Sequence, residues 1–422
     1  MPERLRGVLD LEGRRLLIVE EALKDFVGHW YEYVRSVADL NRAAGVGVTV
    51  VTHAAATPAL RDELDAQPLF DRTIWDGDYR RGSWLARKLG LPRHNWLVFS
   101  AMRRFVRAHG PFDCVFAPTV VMHHVFGWRL LFALERKQIG RMVLLVRNNV
   151  AQYHPGSPDP HFGASARLFG WGLRSLAGHI AAGRVVFATD SARLAEEYRQ
   201  LCGIAPVVFP SPRVAKAVAK AVAAPVAASR LHDHATPLLF ACLGPARLEK
   251  GIDVLQAAIA QYLADPANPP ARFAVQWPSP IDDEHGQPYL PDAALAASGK
   301  VDFITDPLDS EAYDALVAAT DCMVLPYRRS SYFARISGVA VEAVTGAIPV
   351  IATADTWTSE LVASDGAGLA VPDGDAPALA KAMVELARDY PRYREMAAAR
   401  QQQALDANSG AAFLECLWAP AT

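Results

Sequence analysis

A helix that must be buried yet carries one carboxylate is the feature of this chain that most limits its fold. Between Asp321 and Thr358 the sequence runs as an apolar segment ending at Pro326, then a polar loop. It continues through Ser337-Gly338-Val339-Ala340-Val341-Glu342-Ala343-Val344-Thr345-Gly346 into a second apolar segment, Ile348 to Ala352. These periods predict strand, loop, helix, strand. The helix is apolar on nearly every side, so it belongs between buried layers, and Glu342 within it needs a hydrogen-bonding partner because an unpaired buried carboxylate is costly. Ser337 and Gly338 open the helix, where backbone N–H groups and the positive end of the dipole suit a phosphate. A carboxylate about one turn further suits a sugar diol. Together they predict a nucleotide.

The run SGVAVEAVTGAIPVIAT resembles the donor-site segment of GT-B glycosyltransferases. The resemblance is to the large retaining nucleotide-sugar family, the family 4-like or "glycosyl transferases group 1" type. It implies that Glu342 holds the ribose hydroxyls and that Gly346, Pro349 and Val350 make the turn into the next strand. The first glutamate of the family's motif falls on Ala334 and its two glycines on Arg335 and Ser337, with Gly338 one place later. Arg335, Ser337 and Gly338 are therefore expected at the donor nucleotide. A second run, GPARLEKG, places Gly244, Glu249, Lys250 and Gly251 where the family has G-R-L-x-x-E-K-G, with Pro245 at the arginine position and Arg247 two residues on. By its own chemistry a basic pair ahead of a helix start suits a diphosphate, Arg offering a planar fork and Lys a compact charge. Lys250 and Arg247 are the expected catalytic cations, with Gly244 beside them. The resemblance also puts Ile304 and Thr305, after a strand, against the base.

The fold implied is α/β, GT-B, with two Rossmann-like doubly wound domains facing each other across a cleft. The expected division is 1–212 as the acceptor domain, 213–236 as a linker rich in Ala, Val and Lys, and 237–395 as the donor domain. The tail, about 396–422, is expected to pack back on the first domain through Phe413, Leu417 and Trp418. The reaction implied is sugar transfer from a nucleotide diphosphate sugar to a glycan or lipid-linked acceptor, with retention inherited from the family. Such a step must stabilise a departing diphosphate. Basic groups are expected to meet that charge in place of a metal, with no cofactor. Three alternatives stay open: a non-catalytic GT-B homologue that binds nucleotide-sugar or assists assembly, a GT-B nucleotide-sugar epimerase, and an inverting transferase using a base in the 20–30 region.

The length of 422 residues suits about two domains. A formal net charge of −2 argues against a general nucleic-acid binder. MPERLRGVLDLEGRR lacks an apolar signal core and no apolar run reaches the ~18 residues of a spanning helix, so a cytoplasmic protein is expected. The five cysteines are scattered, mostly inside apolar runs, which reads as reduced core residues.

The first half opens as βαβ: RLLIVE, then a long helical stretch, then VGVTVVTH. Gly28 and His29 lie near that helix start, either as acceptor-side contacts or as shapers of the turn. Residues 79–107 hold eight Arg and Lys among Trp84, Trp96, Phe99 and Phe105, with no acidic residue between Tyr79 and Phe112. They form either a seat on the inner face of an anionic membrane or a solvated face over buried aromatics. After the strand at 114–117, His123 and His124 open a helix. By the resemblance, one of this pair, His123 being the nearer to the strand end, contacts the donor sugar; the alternative is capping. Arg147, Asn148 and Asn149 end a strand, where polar groups face a ligand cleft. Asp190 or Ser191 caps the helix after TDS, and Asp355, Thr356 and Trp357 stand where they would close over the donor.

Overall fold

A computed structural model describes residues 10–26, 29–75, 84–121, 124–154, 156–211, 236–283, 285–363 and 367–419. The chain divides into two compact units. One comprises 1–152, 158–213 and 409–422, the other 153–157 and 214–408. The chain therefore rejoins the first unit at 409, and the helix from Tyr390 to Ala407 counts with the second. Most of the expected linker, with Lys216 and Lys220, lies outside the described residues, as do Gly28 and His123.

The first unit is built on a parallel sheet of seven strands. They are β1 (Arg15–Val19), β2 (Gly47–His53), β3 (Ala66–Phe70), β4 (Phe112–Ala117), β5 (Ile139–Leu145), β6 (Val185–Thr189) and β7 (Val207–Val208), in the order β3-β2-β1-β4-β5-β6-β7. Ile18 pairs with Val50 on one side and with Phe116 on the other. The order reverses direction between β1 and β4, which is the doubly wound switch point. Helices cover both faces, so the strands read as unbroken apolar runs rather than alternating ones, and Leu16, Leu17 and Ile18 are all fully buried.

Helix α1 spans His29–Ala43, shorter than the sequence suggested. Residues 20–26 run as turns before it. Helix α2 spans Trp84–His109, α3 Val125–Leu134 and α4 Ala192–Cys202. Ser191, not Asp190, caps α4, its Oγ accepting from Leu194 N–H. The last helix, described here as α10 (Gly410–Trp418), closes the core of this unit. Phe413 meets the rings of Phe116 and Phe209 at 6.0 and 5.6 Å, and Trp418 Nε1 donates to Asn41 Oδ1 at 2.7 Å.

The second unit repeats the plan with β8 (Leu238–Cys242), β9 (Ala271–Gln276), β10 (Val301–Ile304), β11 (Cys322–Leu325), β12 (Val350–Thr353) and β13 (Gly368–Val371). They form a parallel sheet in the order β10-β9-β8-β11-β12-β13. Alternate residues of β8 face opposite layers. Phe240 and Cys242 pack with Phe273, Tyr262 and Met383, while Ala241 and Leu243 pack with Met323, Ala340 and Ala343. The helices that matter for the site are α5 (Ile252–Ala264), α6 (Ser310–Ala319) and α7 (Gly338–Thr345), with α8 (Ala376–Arg388) and α9 (Tyr390–Ala407) completing the layers. The switch point here lies between β8 and β11.

One turn differs from expectation. Gly346 has φ −81°, and the left-handed residue after α7 is Ala347, φ 54°. Ile348 N–H bonds Ala343 O at 2.8 Å and Ala347 N–H bonds Val344 O at 3.3 Å, the two bonds of a Schellman closure with alanine where glycine is usual.

Candidate functional site

The loop after β8 and the start of α7 meet at one point. Gly244 is left-handed at φ +80°, and a Cβ there would stand 2.7 Å from Lys250 Nζ and 3.6 Å from Val339 Cγ2. Three sequence-predicted elements, Gly244, Lys250 and the Gly338–Val339 helix start, therefore converge beyond the carboxyl end of β8 at the switch point, where doubly wound sheets take ligands. Gln276, at the end of the neighbouring strand, holds the loop: its Oε1 accepts from Gly244 N–H at 2.6 Å. Lys250 sits in the 3₁₀ turn Leu248–Lys250, which runs straight into α5 through Gly251. Its ammonium lies 5.7 Å from the centre of the Tyr327 ring. Burial pushes the Lys250 pKa down to about 8; Cys242 and Glu249 oppose the shift, and the charges of Arg247 and Arg335 add to it.

Arg247 and Arg335, 88 positions apart in the chain, share one carboxylate. Each places an Nη1 3.3 Å from Glu249 Oε1. Arg335 also stacks over Tyr332 at 5.2 Å, whose ring lies 4.4 Å from that of Tyr327. Three cations against one anion leave this corner net positive. Such a cluster, with a helix N-terminus beside it, suits a dianionic or trianionic group.

Ser337 is the N-cap of α7, its Oγ accepting from Ala340 N–H at 3.3 Å and lying 3.4 Å from Tyr327 Oη. It fixes the helix start; the N–H groups of Gly338 and Val339 precede the first intrahelical bond and face outward from it. Glu342 follows Gly338 by four residues, about 6 Å of helix rise. It is 9% exposed and takes a 2.6 Å bond from Tyr313 Oη on α6. Tyr313 is the partner that the sequence called for and did not identify.

Ile304 ends β10, the edge strand, two places from β8 in the sheet, and Thr305 follows it. Ile304 O accepts from Trp277 N–H at 2.7 Å, and Thr305 is exposed. Asp355 Oδ2 accepts from Arg329 Nε at 2.5 Å, while Arg329 N–H bonds Asp373 Oδ2 at 3.1 Å. Thr356 is fully buried with its hydroxyl on Thr353 O at 2.6 Å.

In the first unit Arg147 stands just past the end of β5. Its Nε pairs with Asp190 Oδ2 at 3.0 Å and its guanidinium covers the Tyr33 ring at 4.4 Å, which ties the ends of β5 and β6 to α1. Burial alone would lower its pKa, but the Asp190 charge outweighs that and raises it. Asn148 O accepts from Tyr198 Oη at 3.0 Å. His29 begins α1, and its side chain is outside the described set. His124 precedes α3 without a side-chain capping bond; its ring faces Glu21 and His94 instead. Sequence reading missed this buried triad because its members come from a loop, α2 and a second loop, with no shared local motif. All five cysteines are free, four of them buried.

Comparison with known proteins places these features. Residues 237–389, all in the second unit, match the family model described as Glycosyl transferases group 1. No curated protein matches the chain by sequence. Among solved structures, sucrose-phosphate synthase from Thermosynechococcus elongatus is similar at TM-score 0.59 and 17% identity, covering 95% of this chain and 97% of that one. HepE from Anabaena, solved with UDP, is similar at TM-score 0.61 and 15% identity, with 95% and 98% covered. UDP-GlcNAc 2-epimerase from Neisseria meningitidis, bound to UDP-GlcNAc, is similar at TM-score 0.57 and 12% identity, with 95% and 98% covered. At these identities the likeness is one of fold.

Proposed function

We propose, from the premise that residues 237–389 are a glycosyl transferases group 1 domain in a chain of GT-B fold, that this glycosyltransferase moves a sugar from a uridine diphosphate sugar to a glycan or lipid-linked acceptor with retention. The observation that carries the donor half is the convergence of Lys250, Gly244 and the α7 start, with Arg247 and Arg335 beside them. Lys250 and the two guanidiniums meet the charge that develops on the departing diphosphate, and the α7 N–H groups add to this. Glu342, oriented by Tyr313, holds the ribose and so positions the donor. Uridine is favoured because HepE and the Neisseria epimerase were solved with uridine nucleotides. The diphosphate charge is met by side chains, so added Mg²⁺ is expected to leave donor affinity unchanged.

Retention follows the family resemblance, with the leaving phosphate taking the acceptor proton on the same face. The test is NMR of the anomeric proton in product formed from a UDP-α-sugar. An α-linked product agrees with this reading. A β-linked product overturns retention and moves attention to a general base in the first unit, such as the buried Glu20. An isomerised UDP-sugar with no free UDP supports the epimerase reading instead.

A lipid-linked acceptor is the second half of the proposal, and α2 supports it. Leu89, Trp96 and Leu97 are 59, 61 and 39% exposed, and with exposed Arg93 and Arg104 they fall on one helical face. Phe99 and Phe105 turn inward, and Arg103 and Arg107 pair with Glu135, so that part of the stretch fits a solvated face over buried aromatics. No described helix is long and apolar enough to cross a membrane. Arg93→Ala is expected to weaken co-sedimentation with anionic vesicles about fivefold, from about 1 kcal/mol per surface arginine. Equal sedimentation with anionic and neutral vesicles would refute the membrane seat.

A further inference from the structure

At the switch point of the first unit, three buried side chains bring their polar atoms to one spot. Glu21 follows β1 by two residues, His94 lies in α2, and His124 lies between β4 and α3. They are 8, 1 and 3% exposed. His94 Nε2 is 3.1 Å from Glu21 Oε2, His124 Nε2 is 3.3 Å from Glu21 Oε1, and the two Nε2 atoms are 2.9 Å apart. Glu21 Oε1 is further anchored by Ile74 N–H at 2.8 Å.

With Glu21 ionised, protons on the imidazoles alone do not satisfy this group. With hydrogen on both Nε2 atoms, each donates to the carboxylate, but two donors then face each other at hydrogen-bond distance. With hydrogen on one, the other imidazole turns its lone pair toward a carboxylate oxygen. Either arrangement leaves one repulsive contact in a buried place, where such contacts are costly, and a proton on the carboxyl or a cation at the centre relieves it. A cation at the centre would take the two Nε2 atoms and a carboxylate oxygen as ligands. Three ligands at the usual zinc distances of about 2.0–2.1 Å, tetrahedrally disposed, stand about 3.3 Å from one another; here the two Nε2 atoms are 2.9 Å apart, and each lies 3.1 or 3.3 Å from a different oxygen of the one carboxylate.

We infer that Glu21, His94 and His124 form a binding site for a divalent transition cation, zinc by ligand type, with a fourth position left for water or a substrate oxygen. Two imidazoles and a carboxylate are the donor set of such sites. The site ties β1, α2 and α3 together at the ligand-binding end of the first sheet. Its residues all belong to the first unit, and those of the diphosphate seat to the second.

The test uses the full chain. Protein stripped with chelator and checked for its fold by circular dichroism is titrated with ZnCl₂, and separately with CoCl₂ as a spectroscopic probe. The expected result is one zinc per chain and a visible d–d band for cobalt. His94→Ala, His124→Ala and Glu21→Gln should each weaken zinc at least about tenfold, since even outer partners of metal sites carry 10–100-fold. Folded wild-type protein that binds neither metal at micromolar concentration overturns the inference. So does zinc bound equally by wild type and the folded variants, which would put the ion elsewhere. Should the alanine variants fail to fold, wild-type stoichiometry and the cobalt spectrum decide the question alone.

Discussion

Replacing Lys250 with methionine should lower kcat for sugar transfer about a hundredfold or more, the usual cost of losing one fixed group that stabilises developing charge. Methionine keeps the length and the apolar contact with Tyr327, so the loss reads the charge itself. The pH dependence gives a second signature. Burial holds the Lys250 pKa near 8, below the ordinary 10.5, so kcat/KM for the wild type should fall as pH rises through about 8 and the ammonium becomes neutral. The methionine variant should lack that limb. Unfolding does not imitate it. With the folded pKa depressed, the unfolded chain binds more protons between about 8 and 10.5, so this residue makes the fold more stable as pH rises there. A methionine variant with wild-type kcat, or one keeping the alkaline limb, would remove Lys250 from the reaction.

The second large effect is structural. Gly251→Ala should destabilise the second unit by about 4 kcal/mol, combining roughly 1 kcal/mol for a left-handed alanine with about 3 kcal/mol for overpacking. Gly251 has φ +67°, and a Cβ would sit 1.9 Å from Pro326 O, a backbone atom that cannot swing aside. Pro326 follows β11, so the clash pushes the Lys250 turn away from the very strand that flanks the switch point. Urea melts followed by tryptophan fluorescence measure the loss. A midpoint within about 1 kcal/mol of wild type would show that the two loops are not packed as described.

Much of the second unit was legible because its signals are local. The period change from β11 through α7 to β12 lies within one stretch, Ser337 caps as its residue type predicts, and Gly251 marks a left-handed helix entry. What the sequence did not show depends on contacts between distant segments. Tyr313 reaches Glu342 from another helix, and Arg335 meets Arg247 only through Glu249. Arg147 follows a strand end as expected, and its pairing with Asp190, just past the adjacent strand, is a contact that no strand-end rule anticipates. Ala347 in a left-handed turn runs against propensity and is legible only from the backbone. The Glu21, His94 and His124 cluster is the extreme case, with members 73 and 30 positions apart.

The central claim is that the Lys250, Gly244 and α7 corner seats a nucleoside diphosphate. Calorimetric titration of UDP, GDP and ADP into the wild type, with Lys250→Ala and Glu342→Ala alongside, tests it most directly. The account predicts one preferred nucleotide, UDP, with binding weakened at least about tenfold in each variant, the loss expected for a charge-assisted bond. Absence of binding by all three nucleotides to folded wild-type protein, or undiminished binding in both variants, would contradict it.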